Sequence, residues 1–194
     1  MKQRVATLMF ALAAVFAVAM LNVAAFAKRP ATTITFIDAV CVVPSKDSQS
    51  KACDKSVVHI LLSSGEAVQP ATDQFVVPYF PQRGVSHPAV SQDKKTAGWL
   101  IEYDNCCTSY PLPLTLVVYR PGEPLRSMKR KCYGAIWVWH FVAGGQQVAT
   151  SSNFPHGNSP DCYELFDVAT GRLRQSWSSD DTRKAPAWVK AFDQ

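Results

Sequence analysis

Two cysteines stand side by side in the segment NCCTSYPLP, and this spacing allows several kinds of chemistry. Cys106 and Cys107 could hold a metal ion, act as a redox-active thiol pair, or form disulfides. A reactive thiolate needs a nearby cation or a helix N-terminus, and the residues from Asp104 to Ser109 include no cation. Because neighbouring side chains of an extended backbone point to opposite sides, the pair is predicted to tie its loop to two different elements.

The remaining cysteines are the candidate partners. They are Cys41, Cys53, Cys132 and Cys162. An even count in an exported chain favours disulfides over free thiols. We expect Cys106 and Cys107 to make one bridge each to Cys132 and Cys162, and Cys41 to pair with Cys53. The alternatives are a ring between Cys106 and Cys107 or a redox-active pair. No cysteine or histidine spacing is typical of zinc, and no motif predicts a cofactor.

A histidine-containing loop, SSNFPHGNSPDC, offers the elements of a hydrolase. His156 and Asp161 lie within it, and Ser109 could complete a nucleophile–base–acid set. The chain lacks the G-x-S-x-G motif that presents such a nucleophile. We therefore expect no enzymatic activity, and a small secreted hydrolase using His156 is the third hypothesis.

Two tryptophans in AIWVWHF are the best candidates for binding a ligand. Trp137 and Trp139 are two residues apart, so on a regular strand they share one face. A pair of indole rings could form a flat platform for sugars, with His156 as a further ligand-binding candidate. The alternative is that the rings pack in the core, since aromatic side chains dominate buried area. A carbohydrate-binding module is accordingly the second hypothesis.

The N-terminus predicts export. Lys2 and Arg4 precede an apolar stretch, Val5 to Ala27, that ends in the small-x-small sequence Ala25-Phe26-Ala27. This is the pattern of a signal peptide over residues 1–27 with cleavage after Ala27, which places the protein in the periplasm or outside the cell without stable membrane insertion. Because the stretch is nearly long enough to cross a bilayer core of about 30 Å, an N-terminal membrane anchor is the alternative.

The exported part, residues 28–194, is one domain by length. The leader carries two basic residues and no acidic one, so its removal lowers the formal charge from +5 to +3. An excess this small and evenly spread argues against nucleic-acid binding. The densest basic run, from Lys129 to Lys131, is expected to be a solvated turn, and a site for anionic surfaces is the alternative.

The elements that position these residues are short strands. Apolar runs rich in Val, Ile, Thr and aromatic residues are separated by turn residues, with 13 prolines and 9 glycines in the chain. The predicted strands are Thr33–Val43, Val57–Leu62, Gln74–Phe80, Ala97–Tyr103, Leu114–Arg120, Ala135–Val142, Gln147–Ser151 and Cys162–Val168.

Three segments repeat a hairpin pattern: HILLSSGEAVQ, LVVYRPGEPLR and ELFDVATGRLR. Each has an apolar strand, two or three turn residues, a glycine, a charged residue, and then an apolar position followed by Arg or Gln. The glycines are Gly65, Gly122 and Gly171, where a turn of this kind needs a positive φ. A period near 50 residues with about four strands per unit is typical of propeller blades.

The last repeat, in the sequence FVAGGQQVATSS…YELFDVATGRLRQSW, resembles a single blade of WD40/TolB-type β-propellers. The chain is also similar to exported bacterial proteins with segments like CCTSYPLPLTLVVYR, a resemblance that implies no activity. Closed propellers have 4–8 blades, which is more than the 167 exported residues can supply. The sequence thus predicts an all-β fold of antiparallel, blade-like hairpin-repeat sheets around one core, with a β-sandwich as the alternative.

The tail, DDTRKAPAWVKAFDQ, predicts a short C-terminal helix. Asp180 or Asp181 could cap it and Pro186 suits its first turn, with Trp188 and Phe192 on one apolar face over an exposed part of the sheets. Together these patterns predict an exported, disulfide-bonded binding or structural module. Its partner is expected to be an unidentified protein or envelope component.

Overall fold

A computed structural model describes residues 31–44, 53–156 and 159–192 of the chain. From Thr32 onward, the described residues belong to one compact unit. The predicted signal peptide, residues 1–27, lies outside the described residues.

The described residues form an all-β fold of three antiparallel sheets, each built from consecutive strands. The first sheet contains β1 (Ile34–Pro44), β2 (Cys53–Leu62) and β3 (Ala67–Val68); the second contains β4 (Gln82–Val90), β5 (Ala97–Tyr103), β6 (Leu112–Tyr119) and β7 (Arg126–Ser127); the third contains β8 (Ala135–Val142), β9 (Gln147–Asn153), β10 (Cys162–Asp167) and β11 (Leu173–Ser178). None of the three closes into a barrel or propeller. The predicted all-β fold with open antiparallel sheets is confirmed.

The second sheet lies between the other two, and its strand β5 is buried on both faces. Along β5, Trp99 and Ile101 pack against the first sheet, whereas Leu100 packs against the third. This alternation is the period-2 geometry of a strand. The buried apolar residues accordingly form two clusters, one on each face of the second sheet, rather than the one core that was predicted.

The repeated segments are the hairpins β2–β3, β6–β7 and β10–β11. Their turn glycines Gly65, Gly122 and Gly171 have φ values of 84°, 81° and 67°, which confirms the expected left-handed conformation. It follows that β1, β5 and β9 occupy equivalent places in the three sheets, immediately before the repeated hairpin.

One predicted strand is absent from the structure, and the strand that follows it was not predicted. The segment 74–80 forms turns and contains only the isolated bridge between Val77 and Phe80. Strand β4, which the sequence pattern missed, follows it and contains Gly84, Pro88 and His87 with a φ of 50°. These residues interrupt the alternation, and the register with β5 shifts between Ser86 and Ala89.

The C-terminal segment lies over the outer face of the third sheet. Its only helix among the described residues is a single 3-10 turn, Lys190–Phe192. Val189 is buried, and the Phe192 ring centroid lies 4.4 Å from that of His140 and 5.4 Å from that of Tyr163. Trp188 donates from Nε1 to Gln175 Oε1 at 2.8 Å. The predicted C-terminal helix is therefore much shorter than the sequence pattern suggested, but it covers an exposed part of the sheets.

Candidate functional site

The six cysteines form three disulfides, with a different pairing from the one expected. Cys41–Cys53 is confirmed. The predicted separate bridges from Cys106 and Cys107 are wrong, because these two residues pair with each other and Cys132 pairs with Cys162.

The side chain of Asn105 explains this difference. Its Oδ1 accepts hydrogen bonds from the amides of Cys107 and Thr108, at 2.9 and 2.8 Å. Its Nδ2 donates to Thr108 Oγ1 at 2.7 Å and to the Tyr110 carbonyl at 3.2 Å. These bonds fold the loop into a tight turn, so the extended backbone on which the prediction depended is absent. The Cys106–Cys107 ring is exposed and connects no two elements of the fold.

The two tryptophans of β8 do not share a face. The register with β9 shifts between Ile136 and Val138, so Trp137 is the extra residue of a β-bulge. Trp139 is only 8% exposed and donates from Nε1 to the His87 carbonyl at 3.1 Å. The expectation of one flat platform formed by Trp137 and Trp139 is wrong, because the bulge reverses the alternation between them.

Trp137 is half-buried beside the loop that carries the adjacent cysteines. Its Nε1 donates to Asn153 Oδ1 at 2.5 Å, and its ring centroid lies 6.4 Å from that of Tyr110. Asn153 also donates from Nδ2 to Asp161 Oδ1 at 2.7 Å. These contacts connect β8, β9 and the start of β10 through side chains.

His156 is exposed. The structure does not bring it together with Asp161 and Ser109, the other two residues of the hydrolase hypothesis. The carboxylate of Asp161 is bound by Asn153. Among the described residues, no hydrogen bond joins His156 to Asp161 or to Ser109. The set of residues proposed from composition is thus not a preformed catalytic constellation.

A buried ion pair connects the second and third sheets. Glu164 on β10 is fully buried and accepts hydrogen bonds from the amides of Lys131 and Cys132, at 2.6 and 3.1 Å. Arg130 Nε donates to Glu164 at 3.4 Å, and Arg130 Nη1 donates to the carbonyls of Leu114 and Gly134 at 3.1 Å each. Burial lowers the pKa of the Arg130 guanidinium, and the Glu164 carboxylate partly offsets this.

The basic run around Arg130 is therefore only in part the solvated turn that was expected. Lys129 and Lys131 are exposed, whereas the guanidinium of Arg130 is built into the interior. The run places the backbone amides of Lys131 and Cys132 against the Glu164 carboxylate. The positive charge of the run does not predict this role.

Two open clefts flank the segment that carries Cys132. Their volumes are about 740 and 390 Å³, and Lys131, Cys132 and Tyr133 line both. Tyr133 and Phe154, which line the smaller cleft, are 81% and 52% exposed. The smaller cleft also has polar groups: Asn153, Ser159, Ser176 and Ser178. Sequence reasoning missed this surface, because a single tyrosine and a single phenylalanine in loops form no pattern.

The outer face of the first sheet carries apolar side chains that the other described residues leave exposed. Phe36 on β1 lies opposite Leu61 on β2, and these side chains are 55% and 41% exposed. Val40 and Val57 form a second apolar pair on this face, and the exposed polar pair Asp38–His59 lies between the two apolar pairs. The third sheet differs, because Val189 and Phe192 cover its outer face. Strand β1 is also an edge, with β2 on one side and no strand on the other among the described residues.

Comparisons with protein-family models, with curated proteins and with solved structures found no match. In the part of the chain that the structure describes, no helix is long and apolar enough to cross a membrane. The same residues contain no cluster of histidine, cysteine and acidic side chains that could hold a metal ion.

Proposed function

We propose that this protein is an exported, non-catalytic binding module that attaches to a protein partner, free or held in the cell envelope. The observation that carries the proposal is the exposed apolar pair Phe36–Leu61 on the outer face of the first sheet, which the polar pair Asp38–His59 borders. Exposed apolar surfaces of this kind are typical of interaction sites. The outer face of the third sheet, on the other side of the second sheet, is covered by the C-terminal segment. The outer faces of the first and third sheets therefore differ in how much apolar surface they expose.

Export to the periplasm or the medium is part of the proposal. The apolar leader with its Ala25-Phe26-Ala27 site supports it, and three disulfides fit an oxidising compartment. Mass spectrometry of the exported protein without reduction tests it. The expected result is a chain that begins at Lys28 and has no free thiol. Retention of residues 1–27 would instead support the N-terminal anchor.

The binding face is tested with a partner identified by photo-crosslinking from position 61 in the exporting cell. The affinity of the purified partner is then measured for the natural protein and for two variants. Phe36→Asp places a charge on the proposed face and is expected to weaken binding at least tenfold. Val76→Asp changes a residue that is 77% exposed elsewhere and is expected to bind normally. Equal affinities for all three proteins would exclude this face.

A second candidate function is carbohydrate binding at the smaller cleft, separate from Trp137 and Trp139. Exposed Tyr133 and Phe154 beside the hydroxyls of the cleft favour it, because aromatic rings stack on sugars while polar groups fix their orientation. Titration with chitotetraose and maltotetraose, followed by NMR, tests it. Shifts at Tyr133 that disappear in Tyr133→Ala would support the site, and no shift at millimolar sugar would exclude it for these two ligands.

A further inference from the structure

The first sheet has one strand fewer than the other two. The repeated hairpins align β2–β3 with β6–β7 and β10–β11, so β1 is equivalent to β5 and β9. In the second and third sheets a further strand, β4 or β8, precedes and pairs with that equivalent strand. The first sheet has no such strand among the described residues, and its place is the open edge of β1.

Burial along the equivalent strands shows the effect of this difference. On β5, which has neighbours on both sides, Trp99 and Ile101 are completely buried. On β1, Ile37 and Ala39 face the same apolar cluster but are only partly buried. A strand paired to β1 would place its inward side chains beside Ile37 and Ala39 and complete this edge of the cluster.

The backbone of β1 can accept such a strand. In an antiparallel pair, successive residues direct their amide and carbonyl groups alternately to the partner strand and away from it. The amide of Ile34 points away from β2 and donates a hydrogen bond to the Lys94 carbonyl oxygen at 2.7 Å. Past the register shift at Phe36, the same alternation directs the backbone groups of Ile37, Ala39 and Cys41 to the open edge.

Asp38 protects this edge in the free protein. The Ala39 amide, which points to the open side, donates to Asp38 Oδ1 at 2.8 Å. A charged residue that occupies edge groups in this way opposes uncontrolled strand pairing. If two copies paired through β1 with Asp38 near the two-fold axis, their carboxylates would face each other, which is unfavourable. A strand with a lysine or arginine opposite Asp38 would instead be favoured.

We propose that β1 accepts a fourth strand in trans, from an extended segment of the protein partner with alternating apolar residues and a basic residue opposite Asp38. The inference rests on the proposed function, because it assumes cleavage after Ala27. Strand β1 begins at Ile34, so cleavage after Ala27 leaves residues 28–33 ahead of it. With a two-residue turn at positions 31 and 32, Pro30 would lie opposite Thr33 and Lys28 opposite Thr35, so this segment is too short to reach Ile37, Ala39 or Cys41.

The edge is tested in the mature protein, residues 28–194, with the peptide TKVTVKVT as the probe. Hydrogen exchange is followed at the amides of Ile37 and Cys41. Millimolar peptide is expected to slow exchange at both amides at least tenfold, with no change at Leu100 in the second sheet. The peptide TKPPVKVT lacks two adjacent amides and has the same charge, so it is expected to give no protection.

A second variant tests the same edge without dependence on peptide affinity. In it, the sequence TKVTVKVTNG replaces residues 28–31, so that the strand and an Asn-Gly turn precede Thr32. Counted back from the turn, the third residue of the added strand lies opposite Ile37, its second residue, a lysine, opposite Asp38 and its first residue opposite Ala39. Protection of Ile37 is expected here even if the free peptide binds too weakly, whereas Cys41 lies beyond the added strand and should exchange as before. Absence of protection with both the peptide and the fusion would overturn strand acceptance.

Three other outcomes would also overturn the proposal in its present form. Protection of Ile37 that grows with protein concentration, together with dimers in sedimentation, would identify a second copy as the occupant. Protection in the full chain but not in residues 28–194 would identify the chain's own N-terminal residues. A partner whose cross-linked segment at β1 is helical would exclude strand addition. The proposed binding function at the outer face is tested independently of strand addition. It would be rejected if Phe36→Asp leaves the affinity for the partner unchanged while the edge of β1 still accepts the peptide.

Discussion

The indole ring of Trp139 lies directly against the backbone of Gly98. A Cβ atom at position 98 would lie 2.7 Å from Cη2 and 3.1 Å from Cζ3 of that ring. Gly98 is on β5 and Trp139 is on β8, so this contact joins the second and third sheets. The absence of a side chain at 98 makes room for the ring.

Gly98→Ala is therefore expected to destabilise the fold by about 1–3 kcal/mol through overpacking. Gly98 has no left-handed φ, so the cost should come from the clash alone. Urea unfolding without reductant measures it. In the double variant Gly98→Ala/Trp139→Phe the smaller ring relieves the clash, and the total cost should be less than the sum of the two single costs. Additive costs would show that the contact is not responsible.

Glu164→Gln is expected to cost about 3–5 kcal/mol, because it leaves the buried Arg130 without its counter-charge. Asp104→Asn is the matched control, since it breaks the partly exposed pair with Arg83 and should cost less than about 1 kcal/mol. Urea unfolding compares them. Similar losses in the two variants would mean that burial of the Arg130–Glu164 pair does not determine its contribution.

The three disulfides should differ in what they contribute to stability. Replacing Cys132 and Cys162 by alanine opens a bridge across 30 residues and is expected to cost about 3–4 kcal/mol by the loop-entropy estimate. Replacing Cys106 and Cys107 by serine opens a ring between neighbours, and the change should stay within about 0.5 kcal/mol, as for ordinary surface substitutions. Thermal and urea unfolding measure both. A large loss in the second variant would show that the ring holds the β5–β6 loop in place.

Acid should loosen the C-terminal segment. Burial lowers the pKa of His140 below its usual 6.5, and its Nε2 has no hydrogen-bond partner among the described residues. A histidine with a lowered folded-state pKa takes up its proton more readily when unfolded, so stability is lost as the pH falls below about 6.5. Hydrogen exchange of residues 186–192 is expected to be faster at pH 5.5 than at pH 7, after correction for intrinsic rates.

His140→Phe should remove this pH response, because no proton can then be taken up beneath Phe192. His59→Gln is the control, since His59 is exposed on the first sheet and its loss should leave the response intact. An unchanged response in His140→Phe would assign the effect to another group.

Much of the architecture could be predicted from the sequence because local patterns encode it. The turn glycines, the hairpin repeat and short alternating strands are local features, and all three are present in the structure. Strand β4, which the sequence pattern missed, depends instead on a non-local interaction. Its pairing with β5 depends on the partner strand, while Gly84, His87 and Pro88 remove the local signal.

The candidate site could be predicted less well, since its geometry depends on single-residue irregularities. One extra residue at Trp137 reverses the face of every side chain that precedes it on the strand, and the sequence AIWVWHF does not mark that bulge. The turn at Asn105 similarly closes the Cys106–Cys107 ring. The exposure of Phe36 and Leu61 depends on the arrangement of all three sheets, because it requires that the first sheet is an outer one and that no other segment covers it.

The placement of the C-terminal segment has a consequence for stoichiometry. Repeating structures with complementary surfaces at both ends grow into filaments, because each added molecule presents the site for the next. Here Val189 and Phe192 occupy the outer face of the third sheet, so the stack is terminated at that end. Any complex formed through the first sheet should then be monovalent, with one partner for each chain and no tendency to polymerise.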